Sequence, residues 1–289
     1  MPDGVAKLAS TEGAEGRGRL ELAFARAPGG RTYLRRQYVS YPYHVCRPLS
    51  FGGDPEGMAT IYLQSCAGGI FRGDRLREHI VAEEGAAAHV TTQASTIVHS
   101  MDHGDARQEV VIEAAAGSFL EVLPDPFILF PQARFASDVR VRAHETATVI
   151  VADSFICHDP AGAGAMFDRY QGDLRVENPQ GRLLMLDRFR TAGAIVAGRR
   201  PGITGAFAAQ GGLFVIQQQS AARGLVDALR RAVVDVGQVY ADASELPNSC
   251  GAWLRVMAVD AIALRAALMS AWQSVREAWT GQVPVPRRK

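Results

Sequence analysis

A strand–turn–strand unit occurs three times between residues 78 and 151, and it limits the fold more than any other feature of this chain. In the first copy, Glu78-His79-Ile80-Val81-Ala82 alternates, Glu84-Gly85 turns, and Ala88-His89-Val90-Thr91-Thr92 follows. In the second, Gln108-Glu109-Val110-Val111-Ile112 leads through Gly117 to Phe119-Leu120-Glu121-Val122-Leu123. In the third, Val139-Arg140-Val141-Arg142 leads through Glu145-Thr146 to Thr148-Val149-Ile150-Val151. The turns lie 32 and 29 residues apart. Two strands per unit, with no helix between them, argue against a βαβ pattern. Either successive coils stack and bury each other's apolar faces, or regular hairpins build an ordinary β-sandwich. Periodicity alone does not choose between these.

The 289 residues are enough for one large or two modest domains with a real core. Hydrophobic residues make up 47% and charged residues 21%, as in an ordinary soluble protein. A net charge of +1 supplies no excess to neutralise phosphates, so nucleic acid is a poor partner. No apolar run reaches membrane-spanning length, and the N-terminus has no signal-peptide pattern. The four cysteines, Cys46, Cys66, Cys157 and Cys250, form no CxxC pair. They indicate a reduced, cytoplasmic protein rather than a disulfide framework.

The division of the chain follows from patterning. Residues 1–18 read as a mobile leader. Residues 19–283 read as one β-rich domain, irregular over 19–60, with Pro42 confining the aromatic stretch 38–43 to an edge or turn. Residues 284–289 read as a loose tail. Helices are expected only in the last quarter. Ser220 is a plausible cap for a helix over 221–236, carrying Leu225, Val226, Leu229, Val233 and Val236. A second helix is expected over 260–279, its stripe formed by Leu264, Leu268, Trp272, Val275 and Trp279. Such a stripe is core when buried and an interface anchor when partly exposed. Residues 253–257 read as a strand between the helices.

Chemical motifs are scarce. The phosphate loop, GxGxxG, GxSxG and HExxH are all absent. Cys157-His158-Asp159 places a thiol, an imidazole and a carboxylate side by side. Neighbours on a strand point to opposite faces, so these three converge on a metal only in a turn. His99 and His103 are four apart, but Gly104 and Asp105 argue for a loop. Glu121 sits inside an apolar strand, and Asp125 lies between two prolines. If Glu121 faces inward it needs a cation or hydrogen bonds; alternation does not say which way it faces. Gly68-Gly69 permits close backbone approach, and Gly73-Asp74 is a tight-turn signature.

Five segments, in order, resemble the urease accessory protein family UreD, also called UreH. They are Ser65-Cys66-Ala67-Gly68-Gly69-Ile70-Phe71-Arg72-Gly73-Asp74, then residues 85–96 with Thr91-Thr92-Gln93, then Leu120-Glu121-Val122-Leu123-Pro124-Asp125-Pro126. Asp187-Arg188 and Gly251-Ala252-Trp253-Leu254-Arg255-Val256 complete the set. The resemblance implies a mainly β fold: a β-helical, two-layered stack of strands with a few C-terminal helices. It implies a non-catalytic scaffold that helps insert nickel into apo-urease, bridging it to a UreF-type protein and, through that, a UreG-type GTPase. Nickel would be in transit, with no cofactor held permanently. Carried over to this chain, Glu121 and Asp125 become the candidates for the nickel path. One segment departs from the family: Ala165 stands where a glutamate is usual, so Cys157, His158 and Asp159 are candidate replacement ligands. Two alternatives compete: a metal-dependent hydrolase using that trio, and a β-solenoid binding module with no metal role.

Overall fold

The computed structural model describes residues 17–219 and 222–285. The first strands are β1 (Arg17–Arg26), β2 (Thr32–Val39), β3 (Tyr43–Val45) and β4 (Ala59–Ser65). Three coils follow: β5 (Arg75–Ala82), β6 (Ala87–Thr92) and β7 (Thr96–Val98); β8 (Ala106–Ala114), β9 (Phe119–Leu123) and β10 (Phe127–Leu129); β11 (Arg134–Ala143) and β12 (Thr148–Cys157). Then come β13 (Arg169–Glu177), β14 (Leu183–Thr191), α1 (Gly193–Ala197), β15 (Ala209–Ile216), α2 (Ala222–Val233), β16 (Val239–Glu245), β17 (Gly251–Ala258) and α3 (Ala261–Thr280).

The strands form two sheets. One has the order β14-β13-β11-β8-β5-β1-β2, and the other β16-β17-β15-β12-β9-β6-β4-β3. The repeat is a stack of coils. Ile80 pairs with Ile112 and Ile112 with Val141 in the first sheet, while Ala88, Leu120 and Val149 do the same in the second. The turn spacings of 32 and 29 seen in the sequence are therefore the coil registers. Each rung sets a like residue over a like residue, and these rows fill the core between the sheets. Gly85 and Gly117 turn the first two coils at φ +64, where a residue with a side chain would be strained. A short third side pairs β7, β10 and the end of β12 in parallel, joining Thr96, Phe127 and Phe155. Antiparallel pairs close both ends of each parallel stack: β1–β2 and β13–β14 in one sheet, β3–β4 and β12–β15–β17–β16 in the other.

Several expectations need adjusting. Residues 19–60 are irregular only in part: β1 and β2 form an antiparallel pair whose register shifts once, between Ala23 and Phe24, with Leu20, Leu22 and Phe24 in the core, whereas the chain between β3 and β4 forms no named strand. Arg17 and Gly18 already belong to β1; the rest of the expected leader lies outside the described residues. Pro42 does sit in the turn between two edge strands. Ser220, the expected cap, and Ala221 lie outside the described residues, and α2 ends at Val233 rather than at 236. α3 starts on Asp260, whose side chain accepts the Ala263 N–H, and ends on Gly281 at φ +70. A five-residue helix, α1, precedes the last quarter; its run Gly193-Ala194-Ile195-Val196-Ala197 is too short to show a helical period in the sequence. Within the expected loose tail, Pro284 is buried and residues 283–285 lie against Gly53; residues 286–289 lie outside the described residues.

α2 and α3 cover the outer face of the second sheet. Leu225, Leu229, Leu264, Ala267, Ala271 and Val275 pack on Leu213, Leu254 and Val256. No described helix is long and apolar enough to cross a membrane.

Candidate functional site

Alternation along β9 sends Leu120 and Val122 into the inter-sheet core and Phe119 and Glu121 to the helix-covered face. Two polar sites result, one on each side of the second sheet.

On the helix side, Glu121 is fully buried. Its Oε1 accepts from Trp272 Nε1 at 2.9 Å and Arg276 Nε at 2.8 Å. Its Oε2 bonds His89 Nδ1 at 2.6 Å and accepts a second Arg276 N–H. Arg276 is itself fully buried, bonds Asp54 at 2.9 Å, and lies over the Phe119 and Trp272 rings. Burial alone would push the Glu121 pKa up. The hydrogen bonds and charges of His89 and Arg276 outweigh this and hold it at about 2. α3 thus docks through an ion pair made by Arg276, which lies outside the predicted stripe, as well as through apolar packing. Trp279, at its end, stacks on Phe119 and stays 43% exposed.

Between the sheets lies a cavity of about 700 Å³. Its walls are Leu63, Val90, Ile112, Val122, Val139 and Val151, and three carboxylates line it: Glu78, Asp125 and Asp153. Residues 65–69 and 91–96 contribute to the same lining, so three segments singled out in the sequence converge on one space. Glu78 accepts from the Tyr43 hydroxyl at 3.0 Å and from Gln108 Nε2 at 2.5 Å. Burial pushes its carboxyl pKa up, and these two donors only partly offset that. Asp153 is also pushed up by burial, against the Tyr170 hydroxyl that donates to it at 2.6 Å and the nearby Arg255. Asp125 is held by its own backbone N–H, which donates to Thr92 Oγ1 at 2.8 Å.

Sequence reasoning paired Glu121 with Asp125, but the structure puts them on opposite sides of the sheet. Glu78 and Asp153 were missed. Each is an acidic residue at an inward position of an alternating strand, and that was the available signal. Asp187 and Arg255, from two separate motif segments, meet in an ion pair at 2.8 Å beside Asp153.

The glycine motif serves the backbone. Gly69 lies at φ +145, where a Cβ would sit 2.4 Å from the Ile97 carbonyl oxygen. Gly73 turns at φ +83, and Asp74 accepts the Phe71 N–H at 2.8 Å. The Cys157 trio does not converge. Cys157 is half-buried, its thiol pushed up to about 12 by burial; His158 leans towards the Phe130 ring. Asp159 accepts the N–H groups of Ala161 and Ala165 in its own turn. His99 stacks on Phe71, whereas His103 bonds Arg72. Among the described residues, no three His, Cys, Asp or Glu side chains are placed to share a metal ion.

The model of the UreD urease accessory protein family matches residues 16–289. The chain is 44% identical to "Urease accessory protein UreD 1" of Pseudomonas syringae pv. syringae, over 93% of this chain and 94% of that protein. It is 39% identical to a protein of the same name from Methylorubrum extorquens, over 94% and 92%. It is 33% identical to "Urease accessory protein UreD" of the archaeon Haloarcula marismortui, over 90% and 86%.

Proposed function

This chain belongs to the UreD family of urease accessory proteins, and from that premise we propose that it is a non-catalytic scaffold that passes nickel to apo-urease through the cavity between its sheets. The observation that carries this reading is the cavity itself. Three carboxylates line a space that also presents apolar, hydroxyl and amide side chains, and burial pushes two of the three up in pKa. A divalent cation between them would offset that burial cost by favouring the ionised carboxylates. Oxygen ligands bind such an ion weakly enough to release it, unlike a set of thiolates. Asp125 keeps the place in the path that its motif implied. Glu121 instead holds the wall, because both its oxygens already bond cationic or N–H groups.

The scaffold acts in the cytoplasm within a larger assembly, bound to a UreF-type protein and through it to a UreG-type GTPase. The exposed Trp279 at the end of the α3 stripe is suited to anchoring a protein partner. The test is the nickel content and activity of the cognate urease, produced with all its accessory proteins, with and without this chain. The reading requires nickel-poor, inactive urease in its absence; full metallation without it would sink the proposal.

A further inference from the structure

Alternation in the first sheet sends its core residues towards the cavity and a set of arginines outward. Parallel pairing then brings these together: Arg17 sits beside Arg75 and Arg75 beside Arg107, while Arg19 sits beside Arg77 in the next outward row. These five guanidinium groups line an open surface pocket of about 480 Å³, in which, among the described residues, Glu109 is the one lining carboxylate. Glu21, Asp105 and Asp138 hold Arg19, Arg75 and Arg107 respectively, so those three side chains are steadied. Arg77 is 74% exposed, with Glu109 at 3.3 Å.

The pocket continues onto β2, the edge strand of the sheet. Residues 32–39 contain no carboxylate but do contain Arg35, Arg36 and two half-exposed tyrosines, Tyr33 and Tyr38. The Arg19 guanidinium lies over the Tyr38 ring. Arginine and tyrosine are the residues that interfaces favour, and an edge strand offers unpaired backbone groups.

We propose that this surface docks an extended, acidic segment of a partner protein. The spacing supports that occupant. Arginines two apart on one strand stand about 6.8 Å from each other, which is the repeat of alternate side chains on an extended peptide. A segment with Asp or Glu at every second position therefore meets Arg17 and Arg19, or Arg75 and Arg77, in step. The near-neutral chain makes nucleic acid a poorer fit. The surface lies on the opposite face of the sheet from the cavity, so this inference stands apart from the nickel reading.

The probe is a fluorescent peptide of alternating Glu and Thr, followed by anisotropy against the full chain. Saturable binding that falls steeply with salt is expected. Arg19→Glu with Arg77→Glu should weaken it by roughly tenfold or more. Both side chains are exposed, and an unchanged melting temperature will confirm that the variant is folded. Arg200→Glu, an exposed arginine elsewhere, should have little effect. Unaltered affinity in the double variant overturns the proposal. So does an equal loss in Arg200→Glu, which would make the attraction one of net charge. Displacement by inorganic tripolyphosphate or a DNA oligonucleotide more readily than by unlabelled peptide also overturns it, in favour of a phosphate site.

Discussion

Glu121 and Arg276 are 155 residues apart in the chain and both fully buried. Removing one leaves the other's charge stranded, which costs about 3–5 kcal/mol. Arg276→Met should therefore lower stability by that order, and adding Glu121→Gln should restore part of it; denaturant unfolding of the three variants measures the coupling. The same pair sets an acid limit. The Glu121 pKa falls from 4.5 to about 2 on folding, so the unfolded chain takes up protons first. The resulting stability is present above pH 4.5 and is lost as pH falls towards 2. Melting temperatures across that range should drop, and Glu121→Gln should flatten the drop. Glu78 has the opposite sign. Its pKa is raised on folding, so its ionised form costs stability as pH rises. Glu78→Gln keeps an oxygen for Tyr43 and Gln108 and removes that cost. It should melt higher than the parent at neutral pH while delivering less nickel to urease. A lower melting temperature would show that Glu78 is held as an ion by groups other than these.

Elements were legible wherever a period ran long enough. The coil strands, β17 and α3 follow directly from alternation or from helical spacing, and Asp260 was close to the observed helix start. The four-residue spacing of the α3 stripe also marked the face that docks. What periodicity did not reveal was the side of β9 on which Glu121 lies. That depends on which face α3 covers, a fact settled by contacts more than 150 residues apart in sequence. The need for a partner was readable from the cost of burying a carboxylate; the identity of Arg276 was not. Gly251 shows a similar limit. The motif that contains it was visible, but its reason is a close approach: φ is +138, and a Cβ would sit 1.9 Å from the Val215 carbonyl oxygen across the β15–β17 ladder. Both strands are interior, so neither can yield without losing pairs. Gly251→Ala should reduce soluble yield sharply, whereas Asp260→Ala, which removes only a helix cap, should cost about 1 kcal/mol. Parallel expression trials and melts separate the two.

At the scale of the whole molecule, stacking coils of 32 and 29 residues puts corresponding residues in line, and a cavity forms where the rows leave room between sheets. Asp125 and Glu78 come from different coils, and Asp153 from a third, so no local motif contains the set. This is why the sequence pointed to one of the three and passed over two. The same arrangement separates delivery from stability. Asp125 lies between Pro124 and Pro126 in the connection from β9 to β10, outside the strands, and lines the cavity. Arg276 anchors α3 and touches no cavity carboxylate. If nickel travels between the sheets, Asp125→Ala and Asp153→Asn should each leave the melting temperature within a few degrees of the parent and still reduce nickel in urease. Arg276→Met should do the reverse at low temperature, where the weakened fold persists: delivery per folded molecule should be close to normal. Nickel per urease active site, normalised to the amount of folded accessory protein recovered in the complex, distinguishes these patterns. Equal losses in all three variants would mean that delivery follows the integrity of the fold, and the cavity would lose its claim to be the path.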